Sequence, residues 1–178
     1  MSLQRCLLIG ALSLGSAAFI GCESTEQLGG SKNPQLAAMD NTFFRNAAIG
    51  DMTEIQSSRI AVQRGTDPAV KQFAQMMIAD HTNNSSKLSQ LATKKGVSPV
   101  KELDTPHAAV VNGLPEQPGK EFDRAYMAAQ VTAHEETVTN FERAASDAKD
   151  PEVKAYANQA LPMLRHHLQM AKDVRDKL

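Results

Sequence analysis

The chain has 178 residues and a formal net charge of −1, with no basic run, which argues against a nucleic-acid-binding surface because such surfaces carry a basic excess. Aromatic residues make up 4% of the chain and Trp is absent, while Ala, Gln, Met, Glu and Lys are plentiful, so helices are favoured over strands. Both cysteines lie within the first 22 residues, which leaves the remainder of the chain without a disulfide.

The chain begins with a segment, residues 1–21, that resembles the signal peptide of a bacterial lipoprotein. Its apolar stretch, residues 7–20, follows Arg5, and it is shorter than a membrane-spanning helix, which needs about 20 residues. The stretch is followed by Gly21 and Cys22, which is typical of a site where the cysteine is lipidated before cleavage. We therefore expect Cys22 to carry a lipid anchor; an ordinary signal peptide that is cut nearby is the alternative.

Residues 22–39 are predicted to form a polar tether, because they contain Gly-Gly and Asn-Pro and have little to bury. A single domain, residues 40–178, follows the tether, and its length suits one hydrophobic core. Its first helix is predicted to run from Asp40, as N-cap, to Arg64, with Gly65 as the stop.

A second helix is predicted to begin at Asp67 and Pro68, because Asp suits the N-cap and Pro suits the first helical position. It should continue to about Lys95. Residues 97–117 contain three prolines and one glycine, and they are predicted to form a long connection. A short helix could start within it at Thr105.

Two further helices are predicted, from Lys120 to Asp147 and from Asp150 onwards, so that the chain contains two helical hairpins. Residues 67–74 match residues 150–157 at six of eight positions when Phe and Tyr are counted as alike. This similarity favours an internal duplication over coincidence. The offset between matching residues of the two copies equals the separation of Asp67 from Asp150. Apolar residues recur at helical spacing in these segments, which predicts an antiparallel four-helix bundle.

Polar residues interrupt the apolar faces close to the middle of each predicted helix: Glu54, His81, His134 and His167. A rise of about 1.5 Å per residue places all four within roughly one turn of the middle of the bundle. Burying three imidazoles and a carboxylate is costly unless they pair or bind something. The layer therefore predicts a site for a divalent transition metal or a small ligand. The alternative is a hydrogen-bonded layer that fixes the register of the helices.

The same residues argue against a di-iron oxidase. Such sites use Glu-x-x-His motifs, but Ile78 and Leu164 stand three residues before His81 and His167. A binding protein is therefore favoured over an enzyme.

Weaker candidates lie beside this layer. Asp80 adjoins His81 but points about 100° away around the helix, which suits a surface acid or a hydrogen-bond partner. Asp123 and Tyr126 are about one turn apart on the third long helix, and Tyr126 could form a hydrogen bond across the core.

The last helix offers a second kind of metal site. Met163, His166 and Met170 share one face, which could suit a soft metal such as copper, although methionines at this spacing are more often core residues. Pro162 removes one helical hydrogen bond, so a kink is expected there.

Taken together, several stretches of the chain resemble a bacterial protein family, the domain of unknown function 4142. The stretches are Phe43, Ala47 and Ala48, Glu54 and Ile55, residues 70–81, residues 122–126, His134, residues 161–164 and His167. The resemblance implies a ferritin-like bundle in an exported protein, often described as an outer-membrane protein. It implies no activity.

We therefore expect an envelope-anchored, ferritin-like lipoprotein that faces the periplasm, with the outer membrane favoured. It would bind a metal or small ligand at the His/Glu layer, in envelope stress or metal handling. The alternative is a non-catalytic structural or interaction module with an architectural polar core. The expected partner is the membrane, through the lipid, and no nucleic acid is expected.

Overall fold

The computed structural model describes residues 37–116 and 118–178. The helices in this part of the chain are α1 (Ala38–Arg64), α2 (Pro68–Lys94), α3 (Thr105–Gly113), a short 3-10 helix (Leu114–Glu116), α4 (Gly119–Asp147) and α5 (Pro151–Arg175), and no strand occurs there. None of these helices combines the length and the apolar character that crossing a bilayer requires. The predicted signal peptide, Cys22 and most of the predicted tether lie outside the described residues.

The four long helices form an antiparallel bundle, as their apolar faces predict. α1 packs beside α2 and α4, and α5 packs beside α4 and α2. The start of α1 lies against the turn that follows α4, because Asp40 contacts the backbone of Lys149 and Asp150. α2 and α4 therefore run in the same direction. The connection between them, residues 95–118, must travel the length of the bundle, and α3 within it packs against α1.

The predicted caps begin α2 and α5. Asp67 accepts a hydrogen bond from the N–H of Ala69 at 2.7 Å, and Asp150 accepts one from the N–H of Glu152 at 2.8 Å. A proline stands in the first turn after each cap. An N–H group at this position would have no partner within the helix, so proline costs no hydrogen bond there. Gly96 follows the end of α2 at a φ of 69°, in the left-handed region that favours glycine.

Asp40 does not cap α1, so that prediction was wrong. The helix begins at Ala38, and its N-cap residue, Ala37, makes no side-chain hydrogen bond. The buried carboxylate of Asp40 instead accepts hydrogen bonds from the backbone N–H groups of Lys149 (3.2 Å) and Asp150 (3.0 Å). These donors precede α5 and have no partner within a helix, which is why a carboxylate from α1 stabilises them.

Asp123 plays the matching role for the first hairpin. From the start of α4, its buried carboxylate accepts hydrogen bonds from the backbone N–H groups of Thr66 and Asp67, both at 2.9 Å, and from the hydroxyl of Thr66. Asp40 and Asp123 are separated by the offset of the sequence repeat, so they occupy equivalent positions in the two hairpins. Each hairpin therefore holds the turn of the other, and the role of Asp123 is structural.

The core consists of two apolar clusters with a polar layer between them. One cluster contains Phe43, Phe141 and Tyr156, and the other contains Phe73 and Phe122. The buried polar side chains near the middle of the helices are Asp51, Thr53, Glu54, Ser57, Ser58, His81, Asn84, Gln130, His134 and His167. All four long helices contribute to this layer, so its hydrogen bonds decide whether it stabilises or destabilises the bundle.

Candidate metal centre

Three histidines from three helices meet in the polar layer. His81 of α2, His134 of α4 and His167 of α5 are each 1% exposed. One ring nitrogen of each lies within 4.8 Å of a ring nitrogen of the other two. The ring centres form a nearly equilateral triangle with sides of 5.5, 5.4 and 5.5 Å. In the described part of the chain, this is the one group of three His, Cys, Asp or Glu side chains close enough to share an ion.

In each ring one nitrogen, here called the outward nitrogen, contacts an oxygen atom. The contacts join His81 Nδ1 to Asp51 Oδ1 (2.8 Å), His134 Nδ1 to the carbonyl oxygen of Gln130 (2.9 Å) and His167 Nε2 to Asp80 Oδ2 (3.0 Å). A carbonyl or carboxylate oxygen accepts a hydrogen bond from a ring N–H, and it thereby fixes the tautomer and the orientation of the imidazole. Of the two roles that the sequence suggested for Asp80, the structure shows the hydrogen-bond partner.

The other nitrogen of each ring, the inward nitrogen, has no hydrogen-bond partner among the described residues. These atoms are His81 Nε2, His134 Nε2 and His167 Nδ1. When the outward nitrogen carries the proton, the inward nitrogen holds a lone pair. Imidazoles that ligate metals are commonly supported in this way, with the second ring nitrogen donating to a carboxylate or a backbone carbonyl.

Glu54 of α1 lies at the edge of the triangle. Its side chain is 2% exposed, and in the part of the chain that the structure describes neither carboxylate oxygen has a hydrogen-bond partner. Its Oε1 is 3.6 Å from Nδ1 of His134, the nitrogen that also contacts Gln130. The structure thus brings together the four residues that the sequence predicted in one layer, but Glu54 stands beside the three converging nitrogens rather than among them.

A hydrogen-bonded chain supports His81 from the far side. Asp51 accepts two hydrogen bonds from the side-chain amide of Asn84, both at 3.0 Å, in addition to its contact with His81. The hydroxyl of Tyr156 donates to Oδ1 of Asn84 at 2.8 Å. These hydrogen bonds link α1, α2 and α5. They hold His81 in place and fix the positions of the three helices relative to one another along the bundle axis.

Sequence reasoning did not single out Asp51 and Asn84. Each lies three residues from a predicted site residue on the same helix, Asp51 before Glu54 and Asn84 after His81. The offset of the repeat also aligns Asp51 with His134 and Asn84 with His167. Applying the repeat to the predicted histidines would have found both supporting residues.

Burial and mutual repulsion keep two of the imidazoles neutral. Burial, together with the nearby His81, lowers the pKa of His134, and the same two causes lower the pKa of His167 to about 4. Burial also acts to lower the pKa of His81, but the hydrogen bond to Asp51 and the charge of Glu54 outweigh it and raise the pKa. Burial raises the pKa of Asp51 as well. At neutral pH, His134 and His167 are therefore in the form that binds metals.

Tyr126, another predicted candidate, is buried next to this layer. Its hydroxyl lies 2.8 Å from the hydroxyl of Ser58 on α1, which is a contact across the core as the sequence suggested. Burial and the charge of Glu54 raise the pKa of Tyr126 well above its ordinary value. The residue stays a neutral hydrogen-bonding group at physiological pH.

The methionine face of α5 does not converge on one point. His166 is exposed, Met163 packs against the cluster around Phe43, and Met170 packs against the cluster around Phe73. α5 continues through Pro162 as a single helix. These residues are therefore less suited to a shared ion than the buried histidines.

The fold resembles two solved helical structures. A fragment of a DUF305 protein from Deinococcus radiodurans aligns with a TM-score of 0.72 and 18% identity, over 82% of this chain and 100% of that one. The protein CopM, in its Cu(II)-bound form, aligns with a TM-score of 0.65 and 15% identity, over 78% of this chain and 96% of that one. At these identities the likeness concerns the fold alone.

No curated protein matches the sequence. The family defined as DUF4142, a domain of unknown function, matches residues 25–174. This range includes Glu54 and all three histidines, and it extends beyond the predicted start of the domain into the predicted tether. The chain therefore belongs to the DUF4142 family, as its sequence resemblance predicted.

Proposed function

We propose that this protein binds one divalent transition-metal ion between His81, His134 and His167, and that it handles metal in the bacterial cell envelope. The observation that carries the proposal is a group of three buried histidines whose ring nitrogens lie close together, with one nitrogen of each ring lacking a hydrogen-bond partner among the described residues. Each of these rings is oriented by an oxygen on its opposite side.

A purely architectural layer accounts less well for these atoms. An unsatisfied buried donor or acceptor costs about 1–3 kcal/mol, and the centre contains three such nitrogens together with both oxygens of Glu54. One ion would satisfy all three nitrogens at once. Metal–nitrogen distances of about 2.0–2.1 Å would place three imidazole ring centres roughly 5–5.5 Å apart, which agrees with the observed sides of the triangle.

The ligand set favours copper or zinc. Imidazole suits both ions, and the affinity order of divalent metals places Cu²⁺ highest. No cysteine lies beyond Cys22, so a thiolate site is not available in the bundle. Glu54, whose Oε1 lies 3.6 Å from Nδ1 of His134, would balance part of the positive charge. The fold likeness to the copper-bound CopM is a further reason to test Cu²⁺ first.

Binding is favoured over turnover of a substrate. Two surface cavities of the described residues, with volumes of about 380 and 590 Å³, are lined by residues other than the three histidines. The centre itself is buried, since each ligand ring is 1% exposed. A metal-binding or metal-carrying role therefore fits the site better than an oxidase.

The N-terminal segment supports a location in the cell envelope. The short apolar stretch before Gly21 and Cys22 supports lipidation and export, and the domain would then be held on the periplasmic side of a membrane, with the outer membrane favoured.

A second candidate function is a structural or interaction module. The chain of hydrogen bonds from His81 through Asp51 and Asn84 to Tyr156 favours it, because these contacts tie three helices together without a ligand. In that case the imidazoles would fix the register of the bundle and would take up no metal.

Metal content distinguishes the two functions. We expect the purified full chain, titrated with Cu²⁺ or Zn²⁺ in a calorimeter, to bind one ion. We expect His134→Ala to lower the affinity for this ion about 100-fold or more, because losing a ligand should cost more than losing a group that only orients a ligand. His166→Ala is the matched control, because it removes an exposed histidine beside His167. The proposal fails if the parent binds no ion, or if His134→Ala binds as the parent does.

A further inference from the structure

The groups that support the three imidazoles differ in their access to water. Asp51 and Gln130, which hold two of the rings, are 3% and 2% exposed. Asp80, which holds His167, is 41% exposed. Of the three supporting contacts, the one between Asp80 and His167 is therefore the one that lies next to solvent.

Asp80 also forms no salt bridge with a Lys or Arg of the described residues. Other carboxylates at the edges of α5 pair with cationic side chains, as Glu152 does with Lys95 and Glu135 does with Lys172. Within the described residues, the partner of Asp80 is the buried, neutral imidazole of His167, which contacts it through a hydrogen bond. An exposed carboxylate of this kind attracts cations from solution.

We infer that the metal ion enters and leaves the centre between α2 and α5, where Asp80 captures it and transfers it to His167. This inference rests on the proposed function. When the ion binds Asp80, it replaces the imidazole as the partner of the carboxylate, so the ring of His167 is free to turn and take up the ion. The remaining two histidines lie 5.4 and 5.5 Å away between ring centres, close enough to complete the site.

Two substitutions separate the charge of Asp80 from its hydrogen bond. Asp80→Asn keeps an oxygen acceptor for Nε2 of His167 but removes the charge, whereas Asp80→Glu keeps the charge. Glu135→Gln is the matched control. It removes a carboxylate that is 53% exposed and adjacent to His134, on the α4 side of α5.

The rates can be measured on the full chain by stopped flow. The protein has two Tyr and no Trp, so quenching of tyrosine fluorescence by Cu²⁺ reports uptake, and addition of a chelator reports release. We expect Asp80→Asn to slow both uptake and release by about tenfold or more, with a dissociation constant within about threefold of the parent. Asp80→Glu and Glu135→Gln should keep the parental rates, and circular dichroism should show that each variant is folded.

Three results would overturn the inference in distinguishable ways. Parental rates for Asp80→Asn would show that the ion enters elsewhere, and the proposed function would stand. A weaker affinity caused by faster release alone would show that Asp80 only orients His167. Absence of Cu²⁺ binding by the parent would reject the proposed function itself.

Discussion

Tyr126 packs edge-on against Phe73, with 6.4 Å between the ring centres. In the other apolar cluster Tyr156 packs edge-on against Phe43 at 6.1 Å. The offset of the sequence repeat aligns Phe43 with Tyr126 and Phe73 with Tyr156. The two contacts therefore occupy equivalent positions in the repeat. The residue that is Tyr in one contact aligns with the residue that is Phe in the other. The similarity of the hairpins thus extends from their caps into the core.

The reciprocal turn contacts make Asp40 and Asp123 important for stability. Replacing either with Ala leaves two backbone N–H groups without their charged acceptor. We expect each variant to lose about 2–3 kcal/mol of unfolding free energy, measured by urea denaturation. Asp147→Ala, which changes an exposed carboxylate, should lose less than about 0.5 kcal/mol. Equal losses in the three variants would contradict the assigned role.

Bound metal should raise the melting temperature of the protein, because an ion that binds only the folded chain stabilises it. At a free metal concentration about 1,000 times the dissociation constant, the gain is about 4 kcal/mol, or roughly 10 °C for a domain of this size. His134→Ala should remove this shift and should change the melting temperature only modestly without metal. Thermal melting followed by circular dichroism, with and without Cu²⁺ or Zn²⁺, checks both. If the variant is instead strongly destabilised without metal, and the parent shows no shift, the layer is architectural.

The lipid anchor can be tested by fractionation. We expect the parent protein to partition with membranes, because a lipid on Cys22 and a polar tether would hold the domain at the bilayer. Cys22→Ala should block processing or release the protein in soluble form. Ser16→Ala, a change within the predicted apolar stretch, should fractionate like the parent. A Cys22→Ala protein that matures and fractionates unchanged would falsify the lipoprotein hypothesis.

The cap of α5 should contribute pH-dependent stability. Burial acts to raise the pKa of Asp150, but its hydrogen bonds with Lys95 and the backbone of Glu152 and Val153 outweigh burial, so the pKa falls below the ordinary value of 3.8. A carboxyl group with a lowered pKa stabilises the fold above its unfolded pKa, and this contribution disappears as the pH falls through its folded pKa.

We therefore expect Asp150→Asn to be less stable than the parent by about 1 kcal/mol at pH 7, while still capping the helix. The difference should close as the pH falls below about 4. Urea denaturation of both proteins between pH 3 and pH 7, at about unit intervals, measures it. A difference that stays constant over this range would show that the charge of Asp150 contributes nothing.

The periodic positions of the histidines were sufficient to predict where they would meet. His81, His134 and His167 each lie on an apolar face near the middle of a helix, and the bundle has to bring such positions to one level. Helical periodicity depends only on local sequence, which is why both the four long helices and this layer could be predicted.

The features that sequence reasoning missed depend on contacts between helices. Asp40 looked like a cap because it precedes a helical segment, but its partners are donors in a turn 109 and 110 residues away. The sequence also could not show which nitrogen of His167 faces Asp80, because that choice depends on how α2 and α5 pack. The route of residues 95–118 was open for the same reason.

The connection between α2 and α4 runs the whole length of the bundle. As a result, the start of α1 and the end of α5 lie at opposite ends of the bundle. α1 starts beside the turn between α4 and α5, whereas the carbonyl of Leu178 accepts a hydrogen bond from Arg124 near the start of α4. A helix of 27 residues, such as α1, spans about 40 Å. Tension applied between the two termini would therefore pull along the helix axes and slide the helices past one another, instead of peeling them apart one at a time. Resistance to such a load would come from the whole length of the α1 and α5 interfaces acting together.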